Sequence, residues 1–448
     1  MRIYKRLYKY FFLLWLLLLL CCPNLSFLGI IVFILYLILF CWLVARLPFY
    51  NKSGLGWPLL VALFMCKIAA GFAYARFYAM PQYLTGADTW RFFEESKTET
   101  DWLLTNPIAF IKDIFHHGYP NSGNIFYGQN TYWNDLKSNV VIKLLAVCNV
   151  FTFKNYYANL IFFNFLFFFG PVAFYRAMAD VFAGKKWVIV VTVFLLPSCL
   201  FWCSGIHKDG LIFTCLALLI FYSYKQLVAG KIILPNLLAC IFCLLALFAM
   251  RNIICLLLAP ALLAFWLCYK YPKKRLEVLI GVYGLCMVLF FASPYIYQGI
   301  NLPQYAVEKQ SEFKLLQGGS QIHLRPLQPT LVSFIQFLPS ALDVALLRPH
   351  ISEIKNVSYV PAVAELFLLW FLAGLYFINE KKPVEGNAET ALVIFCFAFA
   401  LSYLLLSGYT VTFSGAIVRY KSIILPLVFC PLTCMANIGK KILISSKL

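Results

Sequence analysis

Apolar runs of about 17 to 23 residues recur along the whole chain, and each is long enough to cross a hydrocarbon core of about 30 Å as a helix. Of the 448 residues, 62% are hydrophobic and only 12% are charged, a balance that the surface of a soluble protein cannot accommodate. The sequence therefore predicts an all-α polytopic membrane protein and excludes the soluble fold classes.

The apolar runs predict about twelve transmembrane helices. They cover residues 10–22, 27–45, 57–80, 157–177, 187–204, 211–228, 232–250, 252–269, 276–292, 357–378, 390–407 and 415–438. Residues 138–153 are also apolar, but Lys143 and Asn149 interrupt them, so this segment can either cross the bilayer or lie flat on it. We predict a flat, interfacial helix, because an extra span would carry Lys185 and Lys186 to the outer face.

The formal net charge of +19 would suggest nucleic-acid binding in a soluble protein. Here the basic residues cluster before the first apolar run, in short connections and at the C-terminal end: Arg2, Lys5, Arg6, Lys9, Lys270, Lys273, Lys274, Arg275, Lys381, Lys382, Lys440, Lys441 and Lys447. This is the distribution of the positive-inside rule, and it predicts that both termini are cytoplasmic. We therefore expect contact with membrane lipids and no nucleic-acid partner.

This topology divides the chain into five segments. They are the N-terminal transmembrane helices (residues 1–80), a first extracytoplasmic loop with its juxtamembrane helix (81–156), the central transmembrane helices (157–292), a second extracytoplasmic loop (293–356) and the C-terminal transmembrane helices (357–448). Most of the 16 cysteines lie inside apolar runs, and no CxxC pair lies near histidines, so the sequence predicts no metal site.

Five ionisable residues are predicted at the outer boundary of the membrane, against the bias that holds most basic residues inside. Lys208 and Asp209 lie in a turn between two predicted helices. Arg251 begins a helix at its outer end, and Arg419 and Lys421 lie in the first turns of the last helix. Ionisable groups at membrane depth are costly and usually face a cavity or a partner, so together they favour a polar cavity for an anionic ligand such as a lipid phosphate or pyrophosphate. The alternative is that each side chain reaches the lipid headgroups by itself.

Asp88 lies in the first outer loop, within Gly86-Ala87-Asp88-Thr89-Trp90. A carboxylate near a low-dielectric boundary with cations not far away can act as the general base for an acceptor hydroxyl or amine. An aspartate in front of an amphipathic stretch can equally be a helix N-cap. The spacing alone leaves both interpretations open.

Lys67 lies near the middle of the third predicted span, where an unpaired lysine costs roughly 2.5 to 3.5 kcal/mol. Glu365 is the acid that lies deep in another predicted span, at a similar depth. We therefore predict a buried ion pair between Lys67 and Glu365. The alternative is that Lys67 faces a cytoplasmic vestibule and Glu365 a substrate cavity.

Several of these features together resemble the integral-membrane GT-C glycosyltransferases. They are the acid of Gly86-Ala87-Asp88, the flat helix that ends the first loop, the stretch Pro197-Ser198-Cys199-Leu200-Phe201-Trp202 that leads to Lys208-Asp209, and Arg419-Tyr420 before Pro426. The likeness covers roughly residues 79–260 and the last helix. The chain departs from the family in having Asp88-Thr89 where many members have an Asp-Glu pair, and in the two extra helices that precede the loop.

The resemblance implies that Asp88 is the catalytic base and that Asp209 is a second acid beside the site. It also implies that Lys208, Arg251 and Arg419 hold the donor phosphate. The expected reaction moves a sugar from a polyprenyl-phosphate donor to a glycan, lipid or protein acceptor at the outer face of a bacterial inner membrane. No cofactor is expected, and a role for a divalent cation is left open.

The sequence leaves two alternatives open. The first is an O-antigen or exopolysaccharide polymerase, which joins pyrophosphate-linked repeat units and also has many spans, large outer loops and outward arginines. The second is a transporter or lipid flippase, which should place its polar groups near the midplane on broken helices of an internal repeat.

Overall fold

The computed structural model describes residues 27–84, 86–116, 118–297, 299–316, 319–354, 359–378 and 384–436. Within these ranges the regular elements are helices, apart from one isolated bridge between Gln321 and Phe413. The predicted all-α fold class is therefore confirmed for this part of the chain. The predicted span at residues 10–22 and both termini lie outside the described residues.

We number the α-helices in chain order. They are α1 Phe27–Arg46, α2 Pro48–Asn51, α3 Trp57–Tyr78, α4 Pro81–Leu84, α5 Asp88–Thr105, α6 Pro107–Lys112, α7 Tyr132–Thr152, α8 Tyr156–Val181, α9 Lys186–Phe194, α10 Pro197–Trp202, α11 Lys208–Ala229, α12 Leu234–Lys270, α13 Arg275–Ile296, α14 Leu302–Leu315, α15 Leu331–Leu342, α16 Val360–Ile378, α17 Asn387–Thr410 and α18 Ser414–Met435. Nine helices in the described ranges are long and apolar enough to cross a membrane, namely α1, α3, α8, α11, α12, α13, α16, α17 and α18. The chain thus has the helices of an integral membrane protein.

The span predicted at residues 187–204 is not one continuous helix. It consists of α9 and α10, which have nine and six residues and are separated by Leu195 and Leu196. Pro197 explains the break, because a proline disfavours the helical conformation of the residue before it, and Leu196 is extended (φ −63°, ψ 117°). The apolar run alone did not reveal this interruption.

Helix α12 is sharply bent at Arg251, whose backbone is not helical (φ −158°, ψ 77°). Cys255 Sγ lies 3.4 Å from the carbonyl oxygen of Leu244, eleven residues earlier. In a straight helix these residues would be about 16 Å apart along the axis. The two arms, residues 234–250 and 252–270, therefore fold back on each other, and they match the two helices that the sequence predicts.

The chain forms two compact units. Unit 1 comprises the described chain up to Lys112 together with Val141–Phe168 and Ser204–His207. Its apolar core contains aromatic side chains of α1, α3 and α8, such as Phe33 packed edge-on against Phe72 at 5.4 Å and Phe40 against Phe162 at 4.7 Å. These contacts fix the first two described spans against the N-terminal part of α8.

Unit 1 also buries the polar residues of α7 that argue against a membrane span. Lys143 Nζ donates to Glu99 Oε2 at 2.8 Å, and Asn149 donates to the hydroxyls of Ser96 and Thr100 on α5. Residues 138–152 are helical, as predicted, and the side chains of Lys143 and Asn149 are paired with α5. Their flat orientation on the bilayer stays a prediction.

Unit 2 comprises Asp113–Val140, Phe169–Cys203 and the chain from Lys208. The predicted second outer loop contains the packed helices α14 and α15. Tyr409 of α17 stacks obliquely on Phe334 of α15 at 5.1 Å, and Gln310 of α14 donates to the carbonyl of Tyr409 at 3.0 Å. This segment is therefore built against α17.

Candidate functional site

Asp209 is the centre of a buried charged cluster in unit 2. It is the second residue of α11 and has no exposed side-chain surface. Arg251, at the bend of α12, donates to Oδ1 at 3.0 Å, and Arg419, in α18, donates to Oδ2 at 2.6 Å. The structure thus brings together three of the site residues that the sequence predicts. We call Asp209, Arg251 and Arg419 the arginine cluster.

Aromatic side chains hold the guanidinium groups of the arginine cluster in place. Arg251 donates to the hydroxyl of Tyr403 at 2.6 Å, and its guanidinium lies 4.5 Å from the centre of the Tyr420 ring. Arg419 lies 5.6 Å from the centre of the Trp202 ring. Stacking and hydrogen bonding hold these guanidinium groups in a fixed orientation. An arginine side chain that is already oriented in this way is well suited to bind phosphate.

The charges of the arginine cluster do not cancel, since two guanidinium groups share one carboxylate. Burying a carboxylate is costly unless it is paired, and both oxygens of Asp209 accept from arginines. Asp209 therefore holds both arginines in place, and the three side chains together carry one net positive charge. Arg251 lies at the bend of α12, and Trp202 is the last residue of the short helix α10.

Lys208 is the first residue of α11 and the chain neighbour of Asp209, and its side chain is half-buried. Its predicted contact with a donor phosphate stays a prediction.

Asp88 is the first residue of α5 in unit 1. The residue in the N-cap position is Ala87, whose side chain makes no capping hydrogen bond. Asp88 Oδ2 lies 3.1 Å from Nε2 of His207, and Arg91 donates to Oδ1 at 3.4 Å. The carboxylate of Asp88 is 36% exposed, whereas the imidazole of His207 is 1% exposed and stacks on Phe92. The accessible group of this pair is therefore the carboxylate.

The turn that carries His207 is packed tightly against α3. A Cβ atom on Gly205 would lie 2.1 Å from the ring of Tyr74, and one on Gly71 would lie 2.6 Å from the carbonyl oxygen of Ser204. Lys67 donates to the hydroxyl of Ser204 at 3.2 Å. Small residues at both positions therefore allow the turn to approach α3 and set the position of His207.

The partners of Lys67 and Glu365 within their own units were not evident from the sequence. Lys67, in unit 1, contacts Ser204, and Glu365, in unit 2, accepts from the backbone N–H of Ser198 at 2.8 Å. Oε2 of Glu365 is buried and has no hydrogen-bond partner in the part of the chain that the structure describes. The ion pair between Lys67 and Glu365 stays a prediction.

Glu365 also lines a cavity of about 240 Å³ in unit 2. The cavity is bounded mostly by apolar side chains of α16 and α18, among them Leu369, Trp370 and Val428, and Lys421 lies on its wall. Since polar groups are few there, the cavity fits an apolar ligand better than a sugar. The alternative prediction, that Glu365 faces the substrate cavity, stays a prediction.

The sequence did not identify two residues, His207 and Tyr403, that contact the predicted site residues. His207 belongs to the same turn as Lys208 and Asp209, but the sequence does not show which carboxylate a histidine reaches. Tyr403 lies inside an apolar run, where a tyrosine gives no signal of its own. Within the described ranges no three His, Cys, Asp or Glu side chains form a group suited to a metal ion, which leaves the role of a divalent cation open.

No protein-family model, no curated protein and no solved structure matches this chain. The resemblance to GT-C glycosyltransferases therefore stays a prediction from the residues.

Proposed function

We propose that the protein is a membrane glycosyltransferase that moves a sugar from a polyprenyl-phosphate donor to a glycan, lipid or protein acceptor at the extracytoplasmic face of a bacterial inner membrane. The observation that carries this proposal is the arginine cluster, in which one buried carboxylate holds two preorganised guanidinium groups. Such a cluster fits the phosphate of a lipid-linked donor, because a charge-assisted, bidentate contact is the strongest means by which a side chain binds phosphate.

In this proposal Asp88 is the general base. The acceptor hydroxyl attacks the anomeric carbon of the donor, its proton passes to the carboxylate of Asp88, and the bond between that carbon and the phosphate oxygen breaks. His207 is a positioning residue, because its buried ring contacts Asp88 Oδ2 and leaves the rest of the carboxylate accessible.

The lipid phosphate leaves with an additional negative charge, so groups fixed around it lower the barrier by stabilising charge that develops in the transition state. We assign this role to Arg251 and Arg419, with Lys208 as a further contact. Asp209 keeps both guanidinium groups oriented and is therefore a positioning residue rather than a second base.

The test separates donor binding from turnover. Full-length protein in lipid nanodiscs would be assayed for binding of a radiolabelled polyprenyl-phosphate sugar, and cells carrying each variant for surface glycan and accumulated lipid-linked donor. Arg419→Ala should weaken donor binding about 10-fold to 100-fold through the loss of a charge-assisted contact.

The matched control is Arg176→Ala, because Arg176 also stacks on an aromatic ring, that of Phe221, at 4.5 Å. It should bind the donor as the wild type does. Equal binding by the wild type and Arg419→Ala, with normal glycan in cells, would contradict the proposal.

A further inference from the structure

Glu365 places a polar group in the wall of the apolar cavity of unit 2. It lies in the second turn of α16 and is only 6% exposed. One carboxyl oxygen, Oε1, accepts from the backbone N–H of Ser198 at 2.8 Å, whereas Oε2 has no hydrogen-bond partner among the described residues. A buried oxygen of this kind costs free energy until it finds a partner. Because Glu365 lines the cavity, a ligand bound there can supply that partner.

The cavity runs between one face of α16 and one face of α18. The lining residues of α16 recur at intervals of three and four: Ala362, Glu365, Leu366, Leu369, Trp370 and Ala373. Those of α18 recur in the same way: Val418, Lys421, Ile424, Leu425, Val428 and Leu432. Residues with this spacing lie on one side of a helix. The lining face of α16 is about 12 Å long beyond Glu365, so the cavity is elongated along the helices.

The volume of the cavity fits a short alkyl chain. It is about 240 Å³, which exceeds the roughly 150 Å³ of an apolar protein cavity that binds benzene. If a methylene group takes about 30 Å³, as a water molecule does in the liquid, the cavity holds about eight of them. Trp370 forms part of the wall, is 46% exposed and donates to the carbonyl of Leu346 at 3.1 Å. The cavity therefore borders an exposed face of a membrane-spanning helix, through which an apolar chain can enter from the bilayer.

The two basic residues of the cavity wall, Lys421 and Arg348, already have partners. Arg348 donates to the carboxylates of Asp343 and Glu353. Lys421 donates to the backbone carbonyl of Arg348, and its charge is attracted by the same two carboxylates. Within the described chain, Glu365 is not a partner of either cation. The buried oxygen that a ligand has to satisfy is therefore Oε2 of Glu365.

We propose that this cavity binds a lipid alcohol, whose alkyl chain lies between α16 and α18 and whose hydroxyl group hydrogen-bonds to Glu365 Oε2. A hydroxyl group fits in either protonation state of Glu365, because it can donate to a carboxylate and accept from a carboxylic acid. An ammonium group can only donate, and a carboxylate can only accept. The site shares no side chain with the arginine cluster, and its ligand is distinct from the lipid-phosphate donor. The alcohol is either a membrane lipid such as a diacylglycerol or a lipid that accepts the sugar.

The test compares two photoreactive probes of about eight carbon atoms, an alcohol and the matching alkane. Each carries a diazirine in its chain and is added to full-length protein in lipid nanodiscs, and labelled peptides are identified by mass spectrometry. We expect labelling on α16 and α18. Because the two probes partition differently into the bilayer, the quantity to compare between variants is the ratio of alcohol labelling to alkane labelling.

Glu365→Met removes both carboxyl oxygens and keeps an unbranched side chain. The ratio should fall about 2-fold to 10-fold from its value in the wild type, the contribution of one hydrogen bond. Glu365→Gln can still donate and accept, so it should keep the ratio of the wild type. Glu389→Met is the control, because Glu389 accepts from Tyr224 at 3.0 Å and does not line the cavity. An unchanged ratio in Glu365→Met would overturn the inference.

Leu369→Trp tests the position of the alkyl chain. The larger side chain should fill part of the cavity and lower labelling by both probes about 10-fold, since a packed apolar site does not accept extra volume. Leu368→Trp is the control, because Leu368 is 47% exposed and lies outside the lining face of α16. Unfolding temperatures identify the variants that fold. Labelling by folded Leu369→Trp at the level of the wild type would contradict a chain in this cavity.

The chemical class and the source of the ligand need two further measurements. Probes of the same length with an ammonium or a carboxylate end should lose less labelling in Glu365→Met than the alcohol does, and a greater loss for the ammonium probe would replace the alcohol site by an ionic one. Native mass spectrometry of the purified protein should show a retained lipid alcohol if the ligand is a membrane lipid. If the ligand is an acceptor, added lipid-linked sugar should convert the alcohol probe to its glycoside by the reaction proposed above. Binding without conversion supports the lipid site and leaves the proposed transfer to other acceptors intact, whereas neither a retained alcohol nor labelling of α16 would refute the site.

Discussion

Asp88 is the residue at which the proposed catalysis is most directly tested. Asp88→Asn keeps the size and polarity of the side chain but removes its basicity, and loss of a general base typically lowers the rate about 10²- to 10⁴-fold. We expect normal expression, normal donor binding, loss of glycan product and accumulation of lipid-linked donor. Asp101→Asn is the control, since Asp101 is an exposed partner of Lys154. Near-normal product from Asp88→Asn would mean that Asp88 is only the start of a helix.

His207 allows a second test, because in the proposed mechanism it acts through Asp88. His207→Gln can still donate a hydrogen bond to the carboxylate and should retain part of the activity, whereas His207→Phe should lose most of it while the protein folds. The pH–rate profile is the measurement that a structural role would not change, and it should shift in His207→Gln. An identical profile for the wild type and His207→Gln would argue against the proposed role of His207.

At this scale the sequence indicates charged residues well and their partners poorly. Asp209, Arg251 and Arg419 stand out because burying an ionisable group at membrane depth costs free energy. In the structure each of the two arginines donates to a carboxylate oxygen of Asp209 over 3.0 Å or less. His207 does not stand out. A histidine in a turn is common, and its importance depends on which groups the fold places around it.

At the scale of the elements, the position of the His207 turn depends on its approach to α3. Gly205→Ala would place a methyl group 2.1 Å from the ring of Tyr74, so the ring or the turn must move. Overpacking of this kind costs about 1–3 kcal/mol, which should lower the thermal unfolding temperature in detergent. Gly281→Ala is the control, because a Cβ there meets nothing within 4 Å and alanine favours a helix. Equal unfolding temperatures for Gly205→Ala and the wild type would show that the contact is loose.

The sequence predicts a helix boundary where a polar residue or a turn interrupts an apolar run. It does not predict a boundary where proline alone interrupts the run. The two arms of α12 meet at Arg251, where the sequence predicts a boundary. The break between α9 and α10 lies within a run that is apolar on both sides of Pro197, so hydropathy carries no signal there. Arg251 of the arginine cluster lies at the bend of α12, and Trp202, which contacts Arg419, ends the short helix α10.

At the scale of the whole molecule, the hydropathy pattern predicts an all-helical membrane protein because apolar length is a direct consequence of bilayer thickness. It does not predict that the second large loop folds. Within residues 302–342, α14 and α15 bury Gln310 and Phe334 against α17, contacts between segments that are distant in sequence and that a local pattern cannot reveal.

The number of membrane crossings can be measured with one small tag at a time at Asn121, Gly184 or Gly230, which are exposed. Between the first two sites lie α7 and α8. If α7 lies flat, only α8 crosses, so a tag at Asn121 should be accessible to antibody on intact cells, and one at Gly184 only after permeabilisation. Between Gly184 and Gly230 lie the broken segment α9–α10 and α11, and the basic residues beside both sites predict that both are cytoplasmic. A tag at Gly184 that is accessible from outside would show that α7 crosses the bilayer. If the tag at Gly230 is accessible from outside and the tag at Gly184 is not, the segment α9–α10 does not cross.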